Sequence, residues 1–121
     1  MIALITTKNG LRIEARAEHS YWGRLRGLLG SSADATPILM SPCASIHTFG
    51  MRYPIDVVLL DGSGRVLASE RRVAPGRVVQ ADKAHYALER PSSIKSWFEE
   101  GEQVQITYLI AGEGSLLVQA A

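Results

Sequence analysis

The sequence predicts a mainly β domain with one prominent helix, built as an antiparallel sandwich or a partly closed barrel. Short runs of alternating or continuous apolar residues recur along the chain, as they do in strands. Turn-forming Gly, Asn, Asp and Pro residues separate these runs at short intervals. The chain has 121 residues, of which 46% are hydrophobic, and this suits a single domain over 1–121 with its own core.

The chain is expected to open with a β-hairpin. Residues 2–6 are β-prone, and the Asn9-Gly10 pair that follows is a strong signal for a tight hairpin turn. Residues 11–17 then alternate apolar with charged side chains, which is typical of a strand with one buried face.

The prominent helix is expected at about residues 20–29. Tyr21, Leu25 and Leu28 recur at helical spacing, and Gly30 stands where a C-terminal cap belongs. Gly23 and Gly27 lower the helix propensity, but glycines four residues apart allow a helix to lie close against a sheet. We expect the apolar side chains of this helix to pack on the sheet.

The rest of the chain is expected to be strands and turns, with one short second helix. The strand at 55–60 should be central, because its apolar residues run almost unbroken. Serines that can cap a helix predict the second helix at about 92–98. Tight turns are expected at 61–64 and at Gly112-Glu113-Gly114. The remaining expected extended segments are 38–40, 44–49, 65–69, 78–79, 85–89, 103–110 and 115–118.

Charge and cysteine content exclude several function classes. The net charge is +1, which argues against a nucleic-acid partner, because such surfaces carry a basic excess. The single cysteine excludes an intramolecular disulfide and a zinc site built from several thiolates. Residues 1–15 have no signal-peptide pattern, and no apolar run is long enough for a transmembrane segment. We therefore expect a cytoplasmic protein; the oligomeric state is not predicted.

The residues with the most chemical potential lie together between Pro42 and Asp56. This segment holds the only cysteine, one of three histidines and one of three methionines. If residues 43–51 are extended, every second side chain points to the same face. That face would carry Cys43, Ser45, His47, Phe49 and Met51.

A binding role without catalysis is the function that we favour for this segment. A groove for a small ligand or a protein partner needs no convergent catalytic groups, and β domains often bind ligands on a sheet face. No cofactor is expected. The residues expected to bind the ligand are Cys43, Ser45, His47, Met51, Arg52 and Asp56.

The alternative is a thiol-dependent or metal-assisted enzyme. Cys43 would be the nucleophile and His47 the base, or else His19 or His85 would serve. Cys43, His47 and Met51 would also suit a soft metal ion. On a straight strand, residues four apart are separated by ~13 Å, so either arrangement needs a bend. A purely structural role for the segment also stays open, with a buried thiol in the core.

Asp56 needs a partner, because it begins an otherwise apolar strand and an unpaired buried charge is very costly. Arg52, four residues earlier across Pro54, is the expected partner in a salt bridge that pins the turn. His47 is the other candidate.

Two segments resemble an uncharacterised bacterial and archaeal family called domain of unknown function 192. They are Arg24-Leu25-Arg26-Gly27-Leu28-Leu29-Gly30 and Cys43-x-Ser45-Ile46-His47-Thr48-Phe49-Gly50-Met51-Arg52-x-Pro54-Ile55-Asp56. The resemblance implies a compact, mostly β domain of jelly-roll type and no established activity. Many relatives lack the cysteine and histidine and share only the equivalents of Met51 and Asp56. Chemistry that depends on Cys43 and His47 would therefore belong to one branch of the family.

Overall fold

A computed structural model of the chain describes residues 1–112 and 114–121, with side chains described outside 111–118. The described part contains ten strands and one short helix, so the mainly β prediction is confirmed. The elements are β1 (Ile2–Thr7), β2 (Arg12–Glu18), α1 (Tyr21–Arg26), β3 (Ile38–Met40), β4 (Ser45–His47), β5 (Ile55–Leu60), β6 (Val66–Val73), β7 (Val78–Gln80), β8 (Tyr86–Pro91), β9 (Val104–Gly112) and β10 (Gly114–Gln119).

Eight strands form one sheet in the order β10-β9-β1-β2-β3-β8-β5-β6, and β4 pairs with β7 in a separate two-stranded sheet. The large sheet is open rather than a closed barrel. An isolated bridge between Arg65 and Gln103 links the start of β6 to the start of β9. The predicted hairpin at Asn9-Gly10 is present, with Thr6 opposite Arg12.

One strand pair departs from the expected antiparallel pattern. β2 and β3 pair in parallel, with Arg16 opposite Ile38 and Glu18 opposite Met40. Parallel neighbours need a connection of about a dozen residues or more that crosses back over the sheet. Residues 19–37, which include α1, form this crossover and cover one face of the sheet.

Two hydrophobic clusters lie on opposite faces of the large sheet. The first core includes Val58 and Leu60 with Trp97 and Phe98. The second core consists of Leu28, Ile38, Met40, Ile46, Met51, Ile55, Val57, Leu59, Val73, Val79 and Ala87. All six residues of β5 are buried, because alternate side chains enter the two cores. The prediction of a central strand at 55–60 is confirmed.

Leu28 packs in the second core as predicted, but Tyr21 and Leu25 are exposed, and the helix is shorter than predicted. It covers Tyr21–Arg26, begins at an N-cap where Ser20 Oγ accepts the Gly23 amide at 3.0 Å, and contains no buried residue. Its glycines face inward instead. A Cβ at Gly23 would overlap the Glu18 side chain, and a Cβ at Gly27 would lie 2.9 Å from a Glu89 oxygen. The close approach therefore turns the large apolar residues of the helix outward.

The predicted second helix at 92–98 is wrong. That segment has no helical hydrogen bonding, although Trp97 and Phe98 are buried in the first core. Its carbonyls serve other donors: the Lys95 carbonyl accepts one N–H group from Arg71 at 2.6 Å and one from Arg90 at 2.8 Å. The two guanidinium groups thus bond a carbonyl that a helix would use for its own backbone hydrogen bonds.

The two expected tight turns differ in what the structure describes. At residues 61–64, Asp61 Oδ1 accepts the backbone N–H groups of Ser63 and Arg65, which confirms that turn. The turn predicted at Gly112-Glu113-Gly114 includes Glu113, which lies outside the described residues.

In the described part of the chain, no helix has the length and apolar character needed to cross a membrane.

Candidate functional site

The predicted row of side chains on one face, from Cys43 to Met51, does not continue beyond His47. On β4, Ser45 and His47 are exposed on one side while Ile46 is buried in the second core. Thr48 is fully buried and ends the strand, because its hydroxyl donates to the Ala74 carbonyl at 2.7 Å. The chain then turns, and Met51 enters the second core rather than the exposed face.

A narrow recess lies between the α1 segment, β4 and β8, with Glu89 among its lining residues. Its volume is about 60 Å³. The recess brings together three of the six residues predicted to bind a ligand, Ser45, His47 and Met51. The full lining is Arg24, Leu25, Arg26, Gly27, Leu28, Ser45, Ile46, His47, Met51 and Glu89.

Glu89 is the residue that sequence reasoning missed. Its side chain is on β8, it is 4% exposed, and its one hydrogen bond comes from the Leu28 amide at 3.3 Å. Burial raises the pKa of Glu89 to about 7, against which the Leu28 amide acts only weakly. The available signal was an acidic residue at the end of the otherwise apolar run Tyr86-Ala87-Leu88.

The two arginines that line the recess do not pair with Glu89. One Arg24 amino group donates to the Pro42 carbonyl at 2.6 Å, and Arg26 Nε donates to the Leu29 carbonyl at 3.2 Å. Within the described part of the chain, no cationic nitrogen lies within 4.0 Å of the Glu89 carboxylate. The carboxylate is therefore buried without an ion-pair partner.

Exposed apolar side chains lie on elements next to the recess, and we call them the apolar rim. They are Tyr21 (64% exposed), Trp22 (74%), Leu25 (53%), Phe49 (55%) and Val78 (52%). The Tyr21 and Trp22 rings meet edge to face at 5.2 Å, and the Phe49 ring lies 5.6 Å from that of His47. Val78 is directly opposite His47 in the small sheet. The rim thus combines residues of α1, of the turn after β4 and of β7.

Cys43 does not line the recess and has no imidazole partner. Its thiol donates to the Ser45 carbonyl at 3.3 Å, and burial raises the pKa of the thiol. His19 is held by the Ser41 hydroxyl at 3.0 Å, and within the described part of the chain no hydrogen bond joins the Cys43 thiol to an imidazole. The Cys43 amide donates to the backbone carbonyl of His85 at 2.8 Å. A thiolate–imidazole pair, which nucleophilic catalysis requires, is therefore not assembled.

The soft-metal arrangement of Cys43, His47 and Met51 is likewise not assembled on one face, because Met51 is buried in the second core. Among the described residues, no three His, Cys, Asp or Glu side chains form a group that could hold a metal ion.

Asp56 is paired, but not with the expected residue. Arg90 Nε donates to its carboxylate at 2.9 Å, the Ser92 hydroxyl at 3.0 Å and the Arg72 amide at 3.0 Å. The predicted bridge to Arg52 is wrong: Arg52 is exposed, whereas Arg90 is directly opposite Asp56 on β8. Asp56 alternates with the residues of β5 that enter the second core, so its carboxylate lies on the sheet face away from the recess.

Comparison with known protein families shows which family the chain belongs to. The model of domain of unknown function 192, described as "Uncharacterized ACR", matches residues 4–106. The chain belongs to this family. The match covers most of the described strands and all the residues that line the recess. No curated protein matches the chain.

Two solved structures share the fold of this member of domain of unknown function 192. One is a protein of unknown function from Novosphingobium aromaticivorans DSM 12444, with a TM-score of 0.65 and 18% identity over 86% of this chain and 83% of the other. The second is a putative transcription regulator from Sinorhizobium meliloti 1021, with a TM-score of 0.66 and 13% identity over 85% and 90%. At these identities, the likeness concerns the fold alone.

Proposed function

We propose that this chain is a non-catalytic binding module whose site consists of the Glu89 recess and the apolar rim. The observation that carries the proposal is a buried carboxylate, without an ion-pair partner, beneath a cluster of exposed aromatic and aliphatic side chains. Within the site predicted from the sequence, the proposal keeps Ser45, His47 and Met51. A jelly-roll-like arrangement of the strands, as the family resemblance implies, is part of the same proposal.

The apolar rim supports binding because each of these residues is more than half exposed. Contiguous exposed apolar groups on a soluble domain mark sites for ligands or partners. Three of the five rim residues belong to α1, whose glycines take the place that apolar residues usually have against a sheet. The helix thus presents its apolar side to whatever binds there.

The recess supports a ligand with a polar end. Small-molecule sites combine apolar walls with a few polar groups that fix the orientation of the ligand. Here Leu25, Leu28 and Ile46 provide walls, while Glu89 and Ser45 provide polar oxygens. We infer a ligand whose apolar body lies on the rim and whose narrow polar end enters the recess.

The proposal is tested by titrating the chain with 3-phenyl-1-propanol and recording amide chemical shifts by NMR. We expect the largest shifts in α1, β4 and the residues around Glu89. Trp22→Ser should weaken binding by about fivefold, because it removes one aromatic contact surface. Ile94→Ser is the matched control, since Ile94 is 94% exposed but is not part of the rim. Shifts spread evenly over the surface, or equal effects of the two substitutions, would refute the site.

A further inference from the structure

We infer that the recess binds a primary ammonium group at the end of a slender aliphatic chain. The inference depends on the proposed function and names the chemistry of its ligand. It rests on three properties of the recess, namely its size, the composition of its walls and the unpaired carboxylate of Glu89.

The size of the recess selects a small terminal group. Its volume of about 60 Å³ is small beside the roughly 300–1,000 Å³ of common ligand pockets, so only the narrow end of a ligand can enter. A methylene followed by an ammonium group fits this space. A guanidinium or a trimethylammonium group is larger than a primary ammonium, and the trimethylammonium group also has no N–H donor for Glu89.

The walls suit the methylene groups behind the ammonium. Leu25, Leu28, Ile46 and Met51 present aliphatic or thioether surface to the recess. Aliphatic chains that end in an ammonium group bury their methylenes along apolar surface while the charged end seeks a polar partner. In this recess, the polar partner is Glu89.

The charge at Glu89 selects a cation that donates hydrogen bonds. An ionised carboxylate only accepts hydrogen bonds, and Glu89 accepts one, from the Leu28 amide at 3.3 Å. Hydrogen bonds between charged groups are about twice as strong as neutral ones, and an ammonium supplies three donors. A ligand carboxylate would be repelled by Glu89. Arg24 and Arg26 also line the recess and keep their positive charge, but they donate to backbone carbonyls and do not pair with Glu89. The contact between an ammonium and Glu89 therefore has to outweigh the repulsion from these two guanidinium groups.

The test compares 3-phenylpropylammonium with 3-phenyl-1-propanol by calorimetry at pH 8, so that the aromatic contact with the rim is the same. We expect the ammonium compound to bind about tenfold more tightly or better, because one charge-assisted contact replaces a neutral one. The guanidinium and trimethylammonium analogues should bind more weakly than the primary ammonium. Glu89→Gln should bring the ammonium compound to the affinity of the alcohol. Glu70→Gln, at an exposed position on β6, is the matched control and should leave the ratio unchanged.

The results distinguish failure of the ammonium inference from failure of the proposed binding function. Equal affinities for the ammonium compound and the alcohol on the unmodified chain, or a ratio that survives Glu89→Gln, would overturn the inference but keep the binding module. Failure of both compounds to bind would overturn both. If Glu89→Gln does not fold, the ¹³C shift of the Glu89 carboxyl gives an independent result. Its apparent pKa should fall on addition of the ammonium compound and not on addition of the alcohol, and an unchanged titration refutes the inference.

Discussion

Replacement of Asp56 by alanine is the most direct test of what the buried pair of Asp56 and Arg90 contributes to stability. The carboxylate is fully buried and accepts hydrogen bonds from Arg90, Ser92 and the Arg72 amide. Arg90 is itself buried and stacks on the Trp97 ring at 4.4 Å. Asp56→Ala therefore leaves a buried guanidinium without a counter-charge and two further donors without an acceptor.

The expected loss of unfolding free energy is about 3–5 kcal/mol, the usual cost of removing one partner from a buried ion pair. Arg90 keeps its hydrogen bond to the Lys95 carbonyl at 2.8 Å, which limits the loss. For a domain of this size, such a loss lowers Tm by roughly 10–20 °C. Asp56→Ala combined with Arg90→Met should recover much of the loss, because the unpaired charge is then absent as well.

Urea unfolding followed by circular dichroism measures these differences. Glu14→Ala is the control, because Glu14 pairs with Arg12 at 3.9 Å with both side chains more than 60% exposed. Exposed pairs contribute little, so that variant should change stability by about 0.5 kcal/mol or less. A loss below about 1 kcal/mol for Asp56→Ala, or no recovery in the double variant, would refute the assigned role of the pair.

Three further predictions concern the recess and its neighbour Cys43. Gly27→Ala should lower stability by about 1–3 kcal/mol, since Gly27 has a φ of +52° and no room beside Glu89, whereas Gly62→Ala, in open space, should have little effect; chemical unfolding compares them. Burial raises the pKa of Glu89 from 4.5 to about 7, so the folded chain binds that proton more tightly than the unfolded chain. The free energy of unfolding should therefore fall by about 3 kcal/mol as pH rises from about 4.5 to about 7. The Glu89→Gln variant should lack this fall, so the difference in unfolding free energy between the two proteins should change with pH. A difference that does not change with pH would contradict the prediction. The Cys43 thiol should react with a disulfide reagent at neutral pH at least about tenfold more slowly than in the urea-unfolded chain, because burial disfavours the thiolate, and equal rates would show that it is accessible and reactive.

Local sequence signals predicted the elements whose causes are local. The hairpin at Asn9-Gly10 and the turn at 61–64 follow from residues that favour those backbone conformations. The apolar run at 55–60 marked a strand buried on both faces. The glycines of α1 indicated close contact with the sheet, and that contact is present at Gly23 and Gly27.

Features that depend on distant parts of the chain were not predictable in this way. Arg90 reaches Asp56 because β5 and β8 are neighbours in the sheet, and no local pattern reports that pairing. The segment at 92–98 has helical capping signals, but its Lys95 carbonyl accepts hydrogen bonds from the nearby Arg90 and from the distant Arg71. Glu89 became visible as part of a site only when the crossover and β8 were placed together.

The parallel pairing of β2 and β3 has a consequence for how such a site can diversify. The acidic residue of the recess is anchored in the large sheet, whereas much of the surrounding wall comes from the crossover at 19–37. Changes in the length or composition of that crossover can reshape the opening while every strand keeps its register. The large sheet thus holds Glu89, while the crossover supplies much of the wall of the recess that we propose as a binding site.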